Sequence, residues 1–261
     1  MQKIKLQLNS SLESFFSELG SIILFTIDVV KQFFVAPFEY RELVKQSYYI
    51  GNKTLPLISI TGFIMGLVLT MQSRPVLVDF GAQSLLPGMI SISVVREIGP
   101  VITALLCAGK ISSGIGAELG AMKVTEQLDA MEVSGTKPLN FVVATRVLAT
   151  TLLVPILVVY ADAVAIIGSY VAVRMHEDIS MVLFVSRAFD SLSFTDVIPA
   201  TIKSVFFGFF IGLIGTYKGY NTARGTEAVG RSANSAVVTA SLVIFLIDLV
   251  AVQLSSLIFE A

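Results

Sequence analysis

The sequence predicts an all-α integral membrane protein. Five transmembrane helices are preceded by an amphipathic interfacial helix, and a short cytoplasmic helix sits between the second and third spans. Three observations predict this. Hydrophobic residues make up 54% of the 261 positions and charged residues 14%, whereas a soluble domain usually carries about 25% charge. Mean hydropathy is +0.82. The apolar residues also gather into five runs, each able to bridge a bilayer core of about 30 Å.

The region before the first run reads differently. Between Leu12 and Phe38 the polar residues Ser14, Glu18, Ser21, Asp28 and Gln32 recur at helical spacing. The remaining surface carries Phe15, Phe16, Leu19, Ile22, Ile23, Ile27, Val30, Phe33 and Phe34. Such a helix can lie in the interface plane. A sixth, tilted span is the alternative, because Ile22 to Phe25 is apolar all round. No short apolar stretch followed by a small-residue cleavage site marks a secretory signal.

The first span is expected over Thr54–Met71, which holds no charge. The second runs from about Pro87 to Ile115 and contains Arg96 and Glu97 side by side. The third runs from about Phe141 to Val173 and is interrupted by Arg146, Pro155 and Asp162. Its length implies tilt, a kink at Pro155 or projection beyond the bilayer. The fourth covers Ile198–Tyr217 with Lys203 near its start, and the fifth covers Ala236–Ile258 with Asp248 inside. Gly62 and Gly66 on the first span, and Gly208, Gly212, Gly215 and Gly219 on the fourth, form smooth ridges that let helices approach closely. The domain organisation is an N-terminal helical region, 1–50, and a transmembrane domain, 51–261.

Basic residues set the orientation. Lys3, Lys5, Lys31, Arg41, Lys45 and Lys53 precede the first span. Lys110, Lys123, Lys137 and Arg146 lie around the second connection, and Lys218, Arg224 and Arg231 follow the fourth span. Only Arg74, Arg174 and Arg187 fall on the opposite loops. The N-terminus is therefore expected in the cytoplasm and the C-terminus outside, in a bacterial inner membrane.

Several function classes are excluded or lack support. A net charge of −1 offers no field for nucleic acid. The single Cys107 allows no disulfide framework. The lone His176 reads as a solvated loop residue. No G-x-x-x-x-G-K-[ST] phosphate loop occurs, since Gly225–Gly230 lacks the following Lys. Any ATP-driven step must then be performed by another subunit.

Two features carry chemistry. Arg96 and Glu97 place opposite charges inside an apolar run, where each costs about 2.5–3.5 kcal/mol at the bilayer centre. Chains keep such charges when they pair or meet a polar ligand. The second feature is the connection from Gly114 to Gly135. Helical spacing puts Met122, Leu128 and Met131 near one face, with Glu118, Glu126, Asp129 and Glu132 on others. Thr125 is positioned to cap a short helix that Gly135 and Pro138 would end. A cytoplasmic amphipathic helix between spans is a natural docking knob for a motor, although it can equally rest on the membrane surface.

Four blocks carry a family resemblance. They are Gly62-x3-Gly66-x2-Leu69-x2-Gln72; Arg96-Glu97-Ile98-Gly99-Pro100; Ala117-Glu118-Leu119-Gly120-x-Met122-Lys123-Val124-x-Glu126-Gln127-x-Asp129-Ala130; and Val229-Gly230-Arg231 followed by Ala236-Val237-Val238. From about residue 40 onward the chain resembles the MlaE/YrbE permease family. These are membrane subunits of ABC transporters that move phospholipids across the bacterial envelope. The resemblance implies transport between inner and outer membranes, in support of outer-membrane lipid asymmetry. It also implies a homodimer, a cytoplasmic ATPase that binds the ATP and Mg, and a periplasmic MCE-domain partner. The chain itself is expected to be no enzyme and to hold no cofactor.

Residue roles follow by position. The stretch about 117–135 looks like the coupling helix seated in the ATPase, with Glu118, Lys123, Glu126, Gln127, Asp129 and Glu132 as its polar contacts. Arg96, Glu97 and Lys203 match the charged residues of the family's lipid cavity. Gln72, Leu77 and Phe80 fall where the first span and its exit line that cavity. Leu69, Leu77, Phe80 and Ile98 can supply the apolar wall, and Arg96 or Lys203 the headgroup contact. The competing reading is a Glu97–Lys203 ion pair that only fixes helix packing. Thr145 stands where the family often has Pro, Lys110 where Arg is frequent, and the Arg174–Asp196 loop matches weakly. An ABC permease for a sterol or solvent, or a proton-coupled carrier using Asp162, Glu97 and Asp248, are the functional alternatives. Internal repeats common in such carriers are not found.

Overall fold

The computed structural model describes residues 2–35 and 39–259, with side chains described for 16–35 and 39–257. Among these residues the structure is helices joined by short turns, with no strand. Five stretches are long and apolar enough to cross a membrane: Tyr40–Asp79, Gln83–Val124, Leu139–Arg174, Phe194–Tyr220 and Thr226–Leu257. The first four each contain an expected run, and the fifth holds all of Ala236–Ile258 but its last residue. The stretches are longer than expected because the helices continue past the uncharged cores into amphipathic ends.

The first span is α2, Tyr40–Asp79, and it runs unbroken across the domain boundary drawn at residue 50. Its buried positions are Gln46, Ile50, Thr54, Ile58, Gly62, Gly66 and Thr70, one at every fourth residue. That stripe lies against α7, Thr145–Arg174. Glycines make the contact close. A Cβ on Gly66 would overlap the Ala165 carbonyl, and one on Gly168 would overlap the Phe63 carbonyl. Thr70 Oγ1 donates to Ser169 Oγ at 2.6 Å across the same seam.

The second span is composite. A 3-10 turn (Gln83–Leu85) leads into α3, Leu86–Ser93. A π-helical turn, Val94–Ile98, precedes α4, Gly99–Cys107, and a second, Ala108–Ser112, precedes α5, Ser113–Val124. Proline accounts for the first of these. In a regular helix the N–H of residue 100 would bond to the Arg96 carbonyl, but Pro100 has no N–H and its ring crowds that carbonyl. The ladder instead widens, and the Gly99 N–H bonds to the Val94 carbonyl five residues back.

The third span begins with a π-helical segment, Leu139–Ala144, and continues as α7 with Pro155 inside it. The fourth is α9, Phe194–Tyr220, and the fifth α10, Thr226–Phe259. The glycine ridge of α9 faces inward as its spacing predicts. Gly208 and Gly212 meet Thr150 of α7, and Gly215 and Gly219 meet Ser112 and Gly116 of the second span. One core cluster unites these spans around Phe207, Ile211, Val147 and Cys107.

The N-terminal helix α1, Gln2–Gln32, is not among the spans. Its Ser14 and Phe15 lie outside the residues whose side chains are described. Val29 is fully buried, Phe25 packs edge-on against Tyr217 at 5.4 Å, and Glu18 pairs with Lys218. Phe16, Ile23, Leu24 and Ile27 face outward.

Two elements depart from the sequence reading. The connection after the second span is not one helix. α5 ends at Val124, and α6, Gln127–Val133, starts anew from Glu126, whose φ of 59° lies in the left-handed region. Thr125 therefore does not cap α6. Its hydroxyl donates back to the Ala121 carbonyl at 2.8 Å, closing α5. The far end is as expected: Gly135, at φ 83°, donates to the Glu132 carbonyl and Thr136 to that of Met131, a Schellman closure. The Arg174–Asp196 loop also contains a helix, α8, Met181–Asp190. Ser180 caps it, and Phe184 and Ala188, four residues apart, are its buried face.

Candidate functional site

The charged residues of three spans converge. Lys203 is 4% exposed and lies four residues past Pro199 on α9. Its Nζ is 2.6 Å from Glu97 Oε2 and 3.0 Å from Asp248 Oδ1. Glu97 comes from the π-helical turn of the second span, and Asp248 from α10. An ammonium has three donors, so two are taken by carboxylates and one remains. Arg96, next to Glu97, is half exposed, and its Nη1 lies 4.0 Å from Asp196 Oδ1. Asp196 also closes the capping box of α9 with Ser193, so the start of α9 is fixed to the turn that carries Arg96.

Two spaces meet at Lys203. One is a small recess of about 20 Å³ bordered by Arg96, Glu97, Thr195, Lys203 and Ser255. The other is a groove of about 570 Å³ between α9 and α10, lined by Ile202, Phe206, Leu246, Val250 and Leu254. Pro199, Lys203, Ala251 and Ser255 border both. The arrangement is therefore a small polar recess beside an apolar trough, with a buried cation in the wall they share. The trough's volume falls in the range of small-molecule sites, about 300–1,000 Å³.

The structure thus brings together Arg96, Glu97 and Lys203. It adds Asp248, to which sequence reasoning gave no position in this cluster. The only signal available was a carboxylate inside an apolar run, which is costly unless paired. Ile98 sits on the same turn, half-buried. The other expected lining residues are placed elsewhere in this chain. Leu69 and Leu77 pack with Leu86, Ile90 and Phe184 in a separate cluster under α3 and α8. Gln72 is exposed on α2, and Phe80, at its end, is 80% exposed.

Behind the turn lies Asp162 of α7, buried to 8% exposure. Its Oδ1 occupies the place where a Cβ on Gly99 would sit. Only glycine fits there, which is a packing reason for Gly99 beside Pro100.

The expected docking residues divide by role. Leu128 is buried, and Met122 and Met131 pack against the core with it. Glu118 is half exposed, and its Oε1 lies 2.8 Å from Nη2 of Arg146, which is itself 4% exposed. Lys123 and Asp129 pair at 2.9 Å across the break between α5 and α6. Glu132 lies within 3.5 Å of the Tyr220 hydroxyl. Gln127 and Glu126 are exposed, and Val133, at the tip of α6, is 90% exposed.

Comparison with known proteins places these features in a family. The family model described as Permease MlaE matches residues 43–254. A probable ABC transporter permease protein of Rickettsia felis is 34% identical over 232 residues, covering 89% of this chain and 90% of its own. The intermembrane phospholipid transport system permease protein MlaE of Haemophilus influenzae is 34% identical over 220 residues, covering 84% and 83%. A probable ABC transporter permease protein of Synechocystis is 33% identical over 236 residues, covering 90% of each. The match spans every element from α2 to most of α10, the charged turn and the α5–α6 break included, and the chain belongs to the MlaE permease family.

Proposed function

We propose that this permease moves phospholipids between the inner and outer bacterial membranes, supporting outer-membrane lipid asymmetry, and that the Lys203 cluster receives the headgroup. The observation that carries this reading is that a charged recess and an apolar trough lie side by side and share one buried lysine in their walls. A phospholipid has the same division, with an anionic phosphate joined to acyl chains. The phosphate meets Arg96, which can bind it bidentately, and the remaining donor of Lys203. Glu97 and Asp248 hold Lys203 in place. The acyl chains lie along Ile202, Phe206, Leu246 and Val250.

Energy comes from a separate ATPase that binds ATP and Mg. It docks on α6, where Val133 projects beside Gln127, Asp129 and Glu132. The short Lys123–Asp129 and Glu118–Arg146 contacts give that knob a rigid link to the second and third spans. The chain works as a homodimer. The fifth and first spans are the least buried of the five, so their outer faces are available to a second copy. The end bearing α6 lies in the cytoplasm, the C-terminus lies outside, and a periplasmic MCE-domain protein takes the lipid there. The test is reconstitution of the complex in liposomes with a fluorescent phospholipid. Glu97→Ala and Lys203→Ala should each impair transport while the complex still assembles. Loss of assembly in both would show a packing role instead.

A further inference from the structure

A second recess, of about 310 Å³, opens between α2 and the second span at their basic ends. Lys110 lies thirteen residues beyond Glu97 along the second span, about 20 Å at 1.5 Å per residue, so this recess is separate from the Lys203 cluster. Lys53 of α2 and Lys110 of the π-helical turn Ala108–Ser112 both border it. Neither makes an ion pair among the described residues. Lys53 stands 3.9 Å over the Tyr49 ring and donates to its hydroxyl at 2.6 Å. The one carboxylate on the rim, Glu118, is engaged by Arg146. Gly109 and Gly114 face open space, so the backbone leaves room at the rim. Ile50, Ile111 and Ile115 form a buried apolar side.

We propose that this recess binds the phosphate of an anionic phospholipid. The phosphate sits between the two ammoniums, with the Ser113 and Tyr49 hydroxyls nearby, and the glycerol end of the acyl chains lies on the isoleucines. Its depth suits a lipid rather than a soluble ion. Lys53 immediately precedes the uncharged run Thr54–Met71, and so stands at the level of the headgroups. Basic pockets between spans at that level are suited to anionic heads, each lysine drawing them by about 1 kcal/mol. This site serves as a holding or anchoring position and does not depend on what the Lys203 cluster carries.

The experiment is lipid titration followed by native mass spectrometry of the purified protein in mild detergent. Dimyristoyl phosphatidylglycerol is the probe, and the matching phosphatidylcholine is the zwitterionic control. Measurement in both the wild-type and Lys203→Ala backgrounds separates the two sites. The pair Lys53→Gln and Lys110→Gln should weaken phosphatidylglycerol binding about tenfold or more in either background. The pair Lys53→Arg and Lys110→Arg should retain it. Displacement by millimolar inorganic phosphate would keep the same anion chemistry but assign it to a soluble source. Equal phosphatidylglycerol binding by the wild type and the glutamine pair, with unchanged thermal midpoints, would overturn the proposal. Equal binding of the two lipids by the wild type would overturn it as well.

Discussion

Asp248 Oδ1 lies 3.0 Å from Lys203 Nζ, which also lies 2.6 Å from Glu97 Oε2. One nearly buried cation therefore joins the second, fourth and fifth spans. A lysine so enclosed needs both carboxylates, since a lone ammonium is strongly disfavoured away from water. Charge-assisted hydrogen bonds of this kind contribute about 1.5–3 kcal/mol. Asp248→Asn keeps the shape and removes the charge. It should lower phospholipid transport about tenfold or more while the protein still assembles. Transport by Asp248→Asn at the wild-type rate would remove Asp248 from the site.

The α2–α7 seam predicts a sharp contrast between glycines. Gly66→Val forces a side chain into the Ala165 carbonyl, and overpacking of this kind costs about 1–3 kcal/mol. Gly230→Ala, in α10, meets nothing within 4 Å and should be neutral or stabilising by up to about 1 kcal/mol. Thermal unfolding in detergent reads both. A midpoint for Gly66→Val equal to that of the wild type would mean that the two helices are not in close contact.

Glu118 and Arg146 give a prediction about coupling. Arg146 also donates to the Val142 carbonyl at 2.9 Å, so its guanidinium is held at both ends. Glu118→Ala leaves a buried cation with one partner fewer and should destabilise the protein by about 1–3 kcal/mol. Exchanging both, Glu118→Ala with Arg146→Met, should recover most of that loss, because no buried cation is then left short of a partner. A double variant no more stable than Glu118→Ala would show that the pair is not the source of the effect.

Much of the fold is legible in the sequence, and the physical reason is simple. Hydrocarbon demands long apolar runs, and charge-free stretches such as Thr54–Met71 reveal them directly. The glycine ridge of α9 is equally visible, because close helix contact requires small residues at fixed spacing. Arg96, Glu97 and Lys203 stand out because charge inside a span is expensive. What local pattern cannot give is who faces whom. Asp248 is 45 residues from Lys203, and no spacing links them. Leu69 and Leu77 have the right chemistry for a cavity wall, yet apolar character fits the α3–α8 cluster equally well. The break at Glu126 is hidden for a different reason, since a non-glycine residue at positive φ leaves no compositional trace. α8 was obscured by the charges around it, although Ser180 and the Phe184–Ala188 pair are its signature.

Glu126 supports a prediction in which stability and function move apart. A left-handed residue with a side chain costs about 1–2 kcal/mol relative to glycine, offset in part by the entropy that glycine loses on folding. Glu126→Gly should therefore leave thermal stability equal or slightly higher. It should lower ATP-driven transport by loosening the bend between α5 and α6. Unchanged transport would mean that the bend does not pass force to the spans.

The central claim is that a phospholipid lies with its head at Lys203 and its chains in the α9–α10 trough. Photo-crosslinking tests it most directly. A benzophenone amino acid is placed at Phe206, which lines the trough, or at Val133, which is 90% exposed on α6 outside the spans. Membranes are irradiated, and lipid bound covalently to the protein is counted by mass spectrometry. The account predicts strong phospholipid capture at position 206, sharply reduced by Lys203→Ala, and only background capture at position 133. Equal capture at the two positions, indifferent to Lys203, would contradict it.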